Sequence, residues 1–224
     1  MNELPDRGTR DQPELDWKEG GVPVSTRFDD PYFSLAGGLA ETGHVFLAGN
    51  DLPARLRPGF HVAELGFGTG LNLLALARIA TVPLRFTSFE AFPMSAVQME
   101  RAHAAFPELA GLAAQLRAGW PGRSMQVGLV EARVVIGDVR QTLPAWDGQA
   151  DAWFLDGFSP AKNPEMWGED VLAEIGRHTA PCGSFATYTA AGHVRRGLAA
   201  AGFTVERRAG FAGKRHMSVG IFQG

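Results

Sequence analysis

Cysteine is almost missing: one residue, Cys182, stands among 224. That excludes an intrachain disulfide framework and a cysteine-based metal cluster, and leaves Cys182 to be read as small apolar filler near a strand. Long apolar runs are missing as well. The greasiest stretch, LNLLALARIA, is interrupted by Arg78 and is too short to span a bilayer. The polar start, MNELPDRGTRDQPELDWKEGG, has no apolar signal-peptide core, so a cytoplasmic protein without a membrane partner is expected. An excess of positive charge is missing too. The formal net charge of -3 gives no global argument for nucleic acid. His44, His61, His103, His178, His193 and His216 show no metal-ligand spacing, and neither a G-x-S-x-G nor a Walker pattern occurs, so no metal is expected. No repeat, low-complexity tract or protein-partner signal is visible.

What remains is an ordinary globular composition, 45% hydrophobic and 20% charged, enough for one substantial core. Residues 1–58 read as an N-terminal extension: a frayed start of about twenty residues, then turn-rich sequence from Phe28 to Leu56 whose apolar run His44 to Leu47 suggests a small hairpin followed by a helix. From residue 59 to 224 strands and helices alternate, the sign of a mostly parallel sheet covered on both faces. Strands are expected at Phe60–Glu64, Leu84–Phe89, Ala132–Ile136, Ala150–Leu155, Ser184–Thr189, Phe203–Arg208 and Arg215–Phe222. Helices are expected at Gly70–Ala80, Ser95–Ala105, Leu109–Gly119, Val171–His178 and Val194–Ala201. Only a short turn separates the last two of the seven strands, which makes them antiparallel. The class is therefore α/β and Rossmann-like.

The strongest local signal is ELGFGTGLN, Glu64 to Asn72, between an expected strand and an expected helix. Glycine there permits tight turning and close approach of a ligand to the backbone. The spacing of Gly66, Gly68 and Gly70 is G-x-G-x-G, with Leu71 where a dinucleotide fingerprint places its third glycine. This disfavours NAD or FAD, and with them a dehydrogenase, and suits S-adenosylmethionine. Gly66, Phe67, Gly68, Gly70 and Asn72 are assigned to that cofactor, with Glu64 ordering the loop or answering the ligand's ammonium. Two acids follow at successive strand ends: Glu90 suits the ribose hydroxyls and Asp138 the adenine amino group. Asp156 ends the fourth strand in the same row, beside the reactive end of the cofactor in methyltransferases of this architecture. Its loop, LDGFSPAKNPEMW, is stiffened by Pro160 and Pro164. Many amino-group methyltransferases carry a D-P-P-Y turn at that point, and the superficially closer DDPYF, Asp29 to Phe33, precedes the glycine loop, so it reads as a motif decoy whose residues can still reach the site. Met94, Met99 and Trp120 read as core or cover. Between Ala191 and His216, six Lys or Arg face one acid, either as a solvated face or as a phosphate-contacting edge.

Taken together, PVSTRFDDPYFS, GLAETGHVFLAGNDLPAR, AELGFGTGLNLL, FTSFEAFPMS, DAWFLDGFSPAKNPEMW, ATYTAAGHVRRGLAAAGF and GFAGKRHMSVG resemble, in order, the methyltransferase domain of the bifunctional tRNA wobble-uridine modification enzymes MnmC, also found as stand-alone MnmD proteins. The resemblance implies a class I S-adenosylmethionine-dependent methyltransferase that methylates the exocyclic amine of 5-aminomethyl-2-thiouridine in the tRNA anticodon stem-loop. It implies that Asp156 orients the amine or accepts its proton. Tyr32, Phe33 and Phe158 become candidates to stack on the base, and Lys162, Arg195, Arg196, Lys214 and Arg215 to meet RNA phosphates. The bifunctional enzymes carry an FAD-dependent oxidase domain beyond this region, so FAD is not expected here. A small-molecule amine methyltransferase, an aminopropyltransferase or a non-catalytic RNA-binding module are the alternatives.

Overall fold

The computed structural model describes residues 12–122 and 124–224. A small antiparallel sheet comes first: β1 (Leu15–Lys18), β2 (Val22–Ser25) and β3 (Asp30–Pro31), in that order. The expected fraying therefore fails from Leu15 onward, while its earliest part lies outside the described residues. β1 is held because it pairs with β2 from Leu15 to Lys18 and because Trp17 lies under the Arg101 guanidinium at 4.1 Å. The run His44 to Leu47 is not a strand. The chain is helical there, from α1 (Gly38–Thr42) through a π-helical turn (Gly43–Leu47) to a 3-10 turn (Ala48–Asn50). Val45, Phe46 and Leu47 are buried in the main core, a role that an apolar run this short can fill as either helix or strand.

The main sheet has eight strands: β4 (His61–Leu65), β5 (Leu84–Glu90), β6 (Met125–Val127), β7 (Val130–Ile136), β8 (Ala150–Leu155), β9 (Thr179–Thr187), β10 (Phe203–Ala209) and β11 (His216–Phe222). Their order is β10-β11-β9-β8-β4-β5-β7-β6. The seven expected strands are present, and the eighth is β6, an edge strand antiparallel to β7. Its three residues follow the Trp120-Pro121-Gly122 turn and are too few to show a period. The pairs β4·β5, β4·β8, β5·β7 and β8·β9 are parallel, whereas β11 lies antiparallel between β9 and β10.

Alternation along the central strands feeds two apolar layers. Val62, Phe86 and Phe154 face one, with α2 (Leu71–Ile79), α3 (Ala96–His103) and α4 (Ala110–Gly119). Ala63, Leu65, Trp153 and Leu155 face the other, with α6 (Glu169–Arg177) and α7 (Gly192–Ala200). α5 (Val139–Thr142) is a single turn that Asp138 caps. Full burial of LNLLALA in α2 explains why that helix shows little amphipathic contrast. α6, by contrast, begins with Glu169 and Asp170 and ends with Arg177, charges that complement its dipole. Strand order turns outward in both directions from β4, with β5 on one side and β8 on the other. Ligands of open α/β sheets bind in the crevice at such a reversal, off the carboxyl ends of the strands.

No helix among the described residues is long and apolar enough to cross a membrane. Cys182 is exposed and left-handed (φ 60) within the first half of β9, so it is not the apolar filler expected. The Arg55 guanidinium holds its carbonyl, together with those of Asn50 and Asp151, and the Ser184 hydroxyl.

Candidate active site

A cavity of about 780 Å³ occupies the crevice at the carboxyl edge, within the range of small-molecule sites. One wall is the glycine loop after β4. Gly66 has φ +82, and a Cβ there would lie 2.9 Å from Gly157 Cα, so glycine is required for this loop to lie against the one after β8. Gly70 is likewise left-handed as α2 begins. Phe67 stacks on Trp120 at 5.0 Å, and Trp120 donates to the Met94 carbonyl. Met94 and Met99 are core, and Trp120 is cover.

The expected acids divide into two kinds. Glu90, at the end of β5, lines the cavity and accepts from the Gly68 and Phe92 amides at 2.9 and 2.7 Å. It fixes the glycine loop and keeps lone pairs toward the cavity, while burial raises its pKa against those backbone donors. Asp138 also lines the cavity, but Arg140 forks both of its oxygens and holds its pKa down. Glu64 is different. It is fully buried behind the loop, does not line the cavity, and accepts from Asn72 Nδ2 (2.8 Å) and Ser88 Oγ (2.6 Å), with burial driving its pKa well up. Of the two roles expected for Glu64, the geometry matches ordering of the loop and not contact with a ligand.

Asp156 follows β8 and forms part of the cavity floor. It accepts from Asn72 Nδ2 and from the Gly157 amide, both at 2.8 Å. Burial, partly offset by these donors, pushes its pKa up to about 7. Tyr188 donates its hydroxyl to the Gly157 carbonyl at 2.7 Å, and its own pKa is raised by burial and then by Asp156, so it stays a donor.

The N-terminal sheet supplies the roof. Asp30, Tyr32 and Phe33 line the cavity, so the DDPYF segment reaches the site although it precedes the glycine loop. Phe28 stacks on Phe158 at 4.7 Å and Tyr32 meets Phe158 edge-on at 5.0 Å, which leaves Phe158 little free face. Phe33 is mostly buried against Phe106. Asp30 accepts from the Ser159 amide at 2.9 Å, and Lys162 is bound to Asp29 and Asp30, pinning the Asp156 loop from above. Lys214 reaches in from the β10–β11 turn to Glu41 of α1 at 2.7 Å and lies over the Tyr188 ring at 4.5 Å. Lys162 and Lys214 are thus engaged within the protein. Arg195, Arg196 and Arg215 line no part of the cavity and make no ion pair among the described residues.

Sequence reasoning missed Phe28, Glu41 and Tyr188. Glu41 and Tyr188 fall inside the stretches GLAETG and ATYTAAG, but an acid in a short helix and a tyrosine after a strand carry no spacing signal.

An acid-rich cavity over a glycine loop, at the switch point of this sheet, defines a class I S-adenosylmethionine-dependent methyltransferase. The chain belongs to the family described as S-adenosyl-L-methionine-dependent methyltransferase, which matches residues 107–223. It is 47% identical over 94% of its length to the "tRNA 5-methylaminomethyl-2-thiouridine biosynthesis bifunctional protein MnmC" of Ectopseudomonas mendocina, of which it covers 35%. It is 48% identical over 90% of its length to the protein of the same description from Caulobacter vibrioides, of which it covers 36%. The chain spans about a third of the length of these curated relatives. Among solved structures it is similar to MnmC2 from Aquifex aeolicus, with a TM-score of 0.72 at 25% identity over 95% of this chain and 71% of that one. The precorrin-6y C5,15-methyltransferase of Geobacter metallireducens shares the fold at a TM-score of 0.55 and 12% identity, over 93% of this chain and 100% of that one.

Proposed function

We propose that this methyltransferase N-methylates the exocyclic amine of 5-aminomethyl-2-thiouridine at the wobble position of tRNA. The observation that carries the reading is Asp156 on the floor of a cavity roofed by aromatic rings, in a chain nearly half identical to proteins named for biosynthesis of the methylated base. S-adenosylmethionine would supply an activated methyl group. Glu90 would hold the ribose hydroxyls and the Gly66–Gly70 loop the amino acid part, while Asp138, both of whose oxygens Arg140 engages, would face the adenine side of the cavity together with that arginine. The surplus of cavity carboxylates, Glu41, Glu90, Asp138 and Asp156, suits a ligand that carries a sulfonium.

An alkyl amine is largely protonated at neutral pH and must lose a proton before it can attack. Asp156 accepts hydrogen bonds on both oxygens, which aims the carboxylate, and a pKa near 7 matches a general base working near neutrality. Tyr32 and Phe28 offer stacking surface to a base drawn out of the anticodon stack, while Phe158 backs them. Phosphate contacts fall to Arg196 and Arg215, with the half-buried Arg195 beside them. The enzyme would act in the cytoplasm, where its tRNA is.

The test is labelled methyl transfer to tRNA carrying or lacking the aminomethyl group, followed by nucleoside analysis. Methylation only of the aminomethyl tRNA is expected. Transfer to free small amines with tRNA ignored would overturn the reading.

A further inference from the structure

Asn72 is 5% exposed at the start of α2, and its one Nδ2 lies 2.8 Å from Glu64 Oε1 and 2.8 Å from Asp156 Oδ2. Its two N–H bonds are therefore both given to carboxylates, one held by β4 and the other by the loop after β8. Turned over, the amide would present an oxygen to two acceptors, so only this orientation is satisfied. Thr42 fixes it from the far side: its hydroxyl, in a side chain 4% exposed, donates to Asn72 Oδ1 at 2.9 Å. An amide with both N–H groups consumed by acids has no donor left for a cofactor.

We infer that Asn72, oriented by Thr42, is the positioning residue that aims Asp156 and keeps its carboxylate available as a base. This rests on the role given to Asp156 above. The amide is the only donor shared by the two buried carboxylates among the described residues. Without it, Asp156 keeps only the Gly157 amide as a donor, and a buried carboxylate that has lost a hydrogen bond to its charged form is more readily protonated. Asp156 also faces Glu41 from α1, Lys214 from the β10–β11 turn and Tyr188 beyond β9. None of the three side chains is hydrogen-bonded to Asn72 or Thr42 among the described residues, so a change in titration reports on the amide.

The experiment compares wild type with Asn72→Ala and Thr42→Val. Methyl-transfer rates are measured across pH 5.5–9 (a window of roughly two units about neutrality) at saturating aminomethyl tRNA, with KM for S-adenosylmethionine determined at each end. Asn72→Ala is expected to lower kcat at pH 7 by about tenfold and move the acidic limb up by about one unit. Thr42→Val should move it in the same direction by less, although Thr42 touches neither carboxylate. A limb that stays in place in both variants, whether KM for S-adenosylmethionine rises or not, overturns the inference. If Asn72→Ala fails to fold, Thr42→Val decides alone. Carboxyl carbon NMR of Asp156 in the cofactor-free protein separates the two claims: a raised titration in the variants with no tRNA methylation by wild type sinks only the proposed function.

Discussion

Burial presses on Asp156 in two ways: under the proposed function it would make the carboxylate a usable base near neutrality, and it makes the group costly to ionise inside the fold. Its folded pKa of about 7 lies above the roughly 3.9 of an unfolded aspartate, so the folded chain binds this proton more tightly. The stability it contributes is fully present below about pH 4 and lost as pH rises through about 7. Asp156→Asn should therefore reduce methyl transfer on the order of a hundredfold. It should also raise the melting temperature more at pH 8 than at pH 5. An equal gain at the two pH values would remove burial of the charge as the cause. Glycine spacing and the row of acids at strand ends were legible in the sequence because turn chemistry and position after a strand are local properties. That Glu64 turns inward while Glu90 and Asp156 face the cavity was not. It depends on Ser88 and Asn72 offering donors from a neighbouring strand and helix.

Elements were legible in proportion to their length and periodicity. The parallel strands and their helices alternate so regularly that their succession along the chain and the final antiparallel hairpin follow from pattern and connection length. Three-residue β6 and two-residue β3 have no period to read, and His44 to Leu47 is apolar without one. DDPYF could be read only as a segment able to reach the site, because chain order says nothing about which edge of the sheet a preceding segment will cover. That segment ties down the Asp156 loop from the roof of the cavity. Asp30 holds the Ser159 amide and shares Lys162 with Asp29. Replacing it, Asp30→Ala, should speed amide exchange over residues 157–163 by about tenfold, since an opening there would break fewer bonds, and raise KM for the proposed amine substrate. Exchange at the wild-type rate would show that the turn does not restrain the loop.

Over the whole molecule, the cations considered for RNA contact divide into those held inward and those left outward. Lys214 is paired with Glu41 and Lys162 with Asp29 and Asp30, whereas Arg196 and Arg215 are exposed and make no ion pair among the described residues. Charge reversal of Arg196 and Arg215 together should weaken tRNA binding and flatten its salt dependence, by about one unit of log-log slope for each phosphate that is no longer neutralised. Cofactor binding measured by calorimetry should be unchanged. Affinity and slope both at wild-type values would make this edge a solvated face.

The pairing of Lys214 with Glu41 joins positions 173 apart in the chain. Pairings of such separation form late, because the intervening chain must first be ordered. During synthesis the parallel centre of the sheet, β4, β5, β7 and β8, leaves the ribosome well before the turn that bears Lys214. The nascent protein thus carries the four central strands of the sheet before it carries Lys214, the residue that ties Glu41 to the cavity wall from the last hairpin.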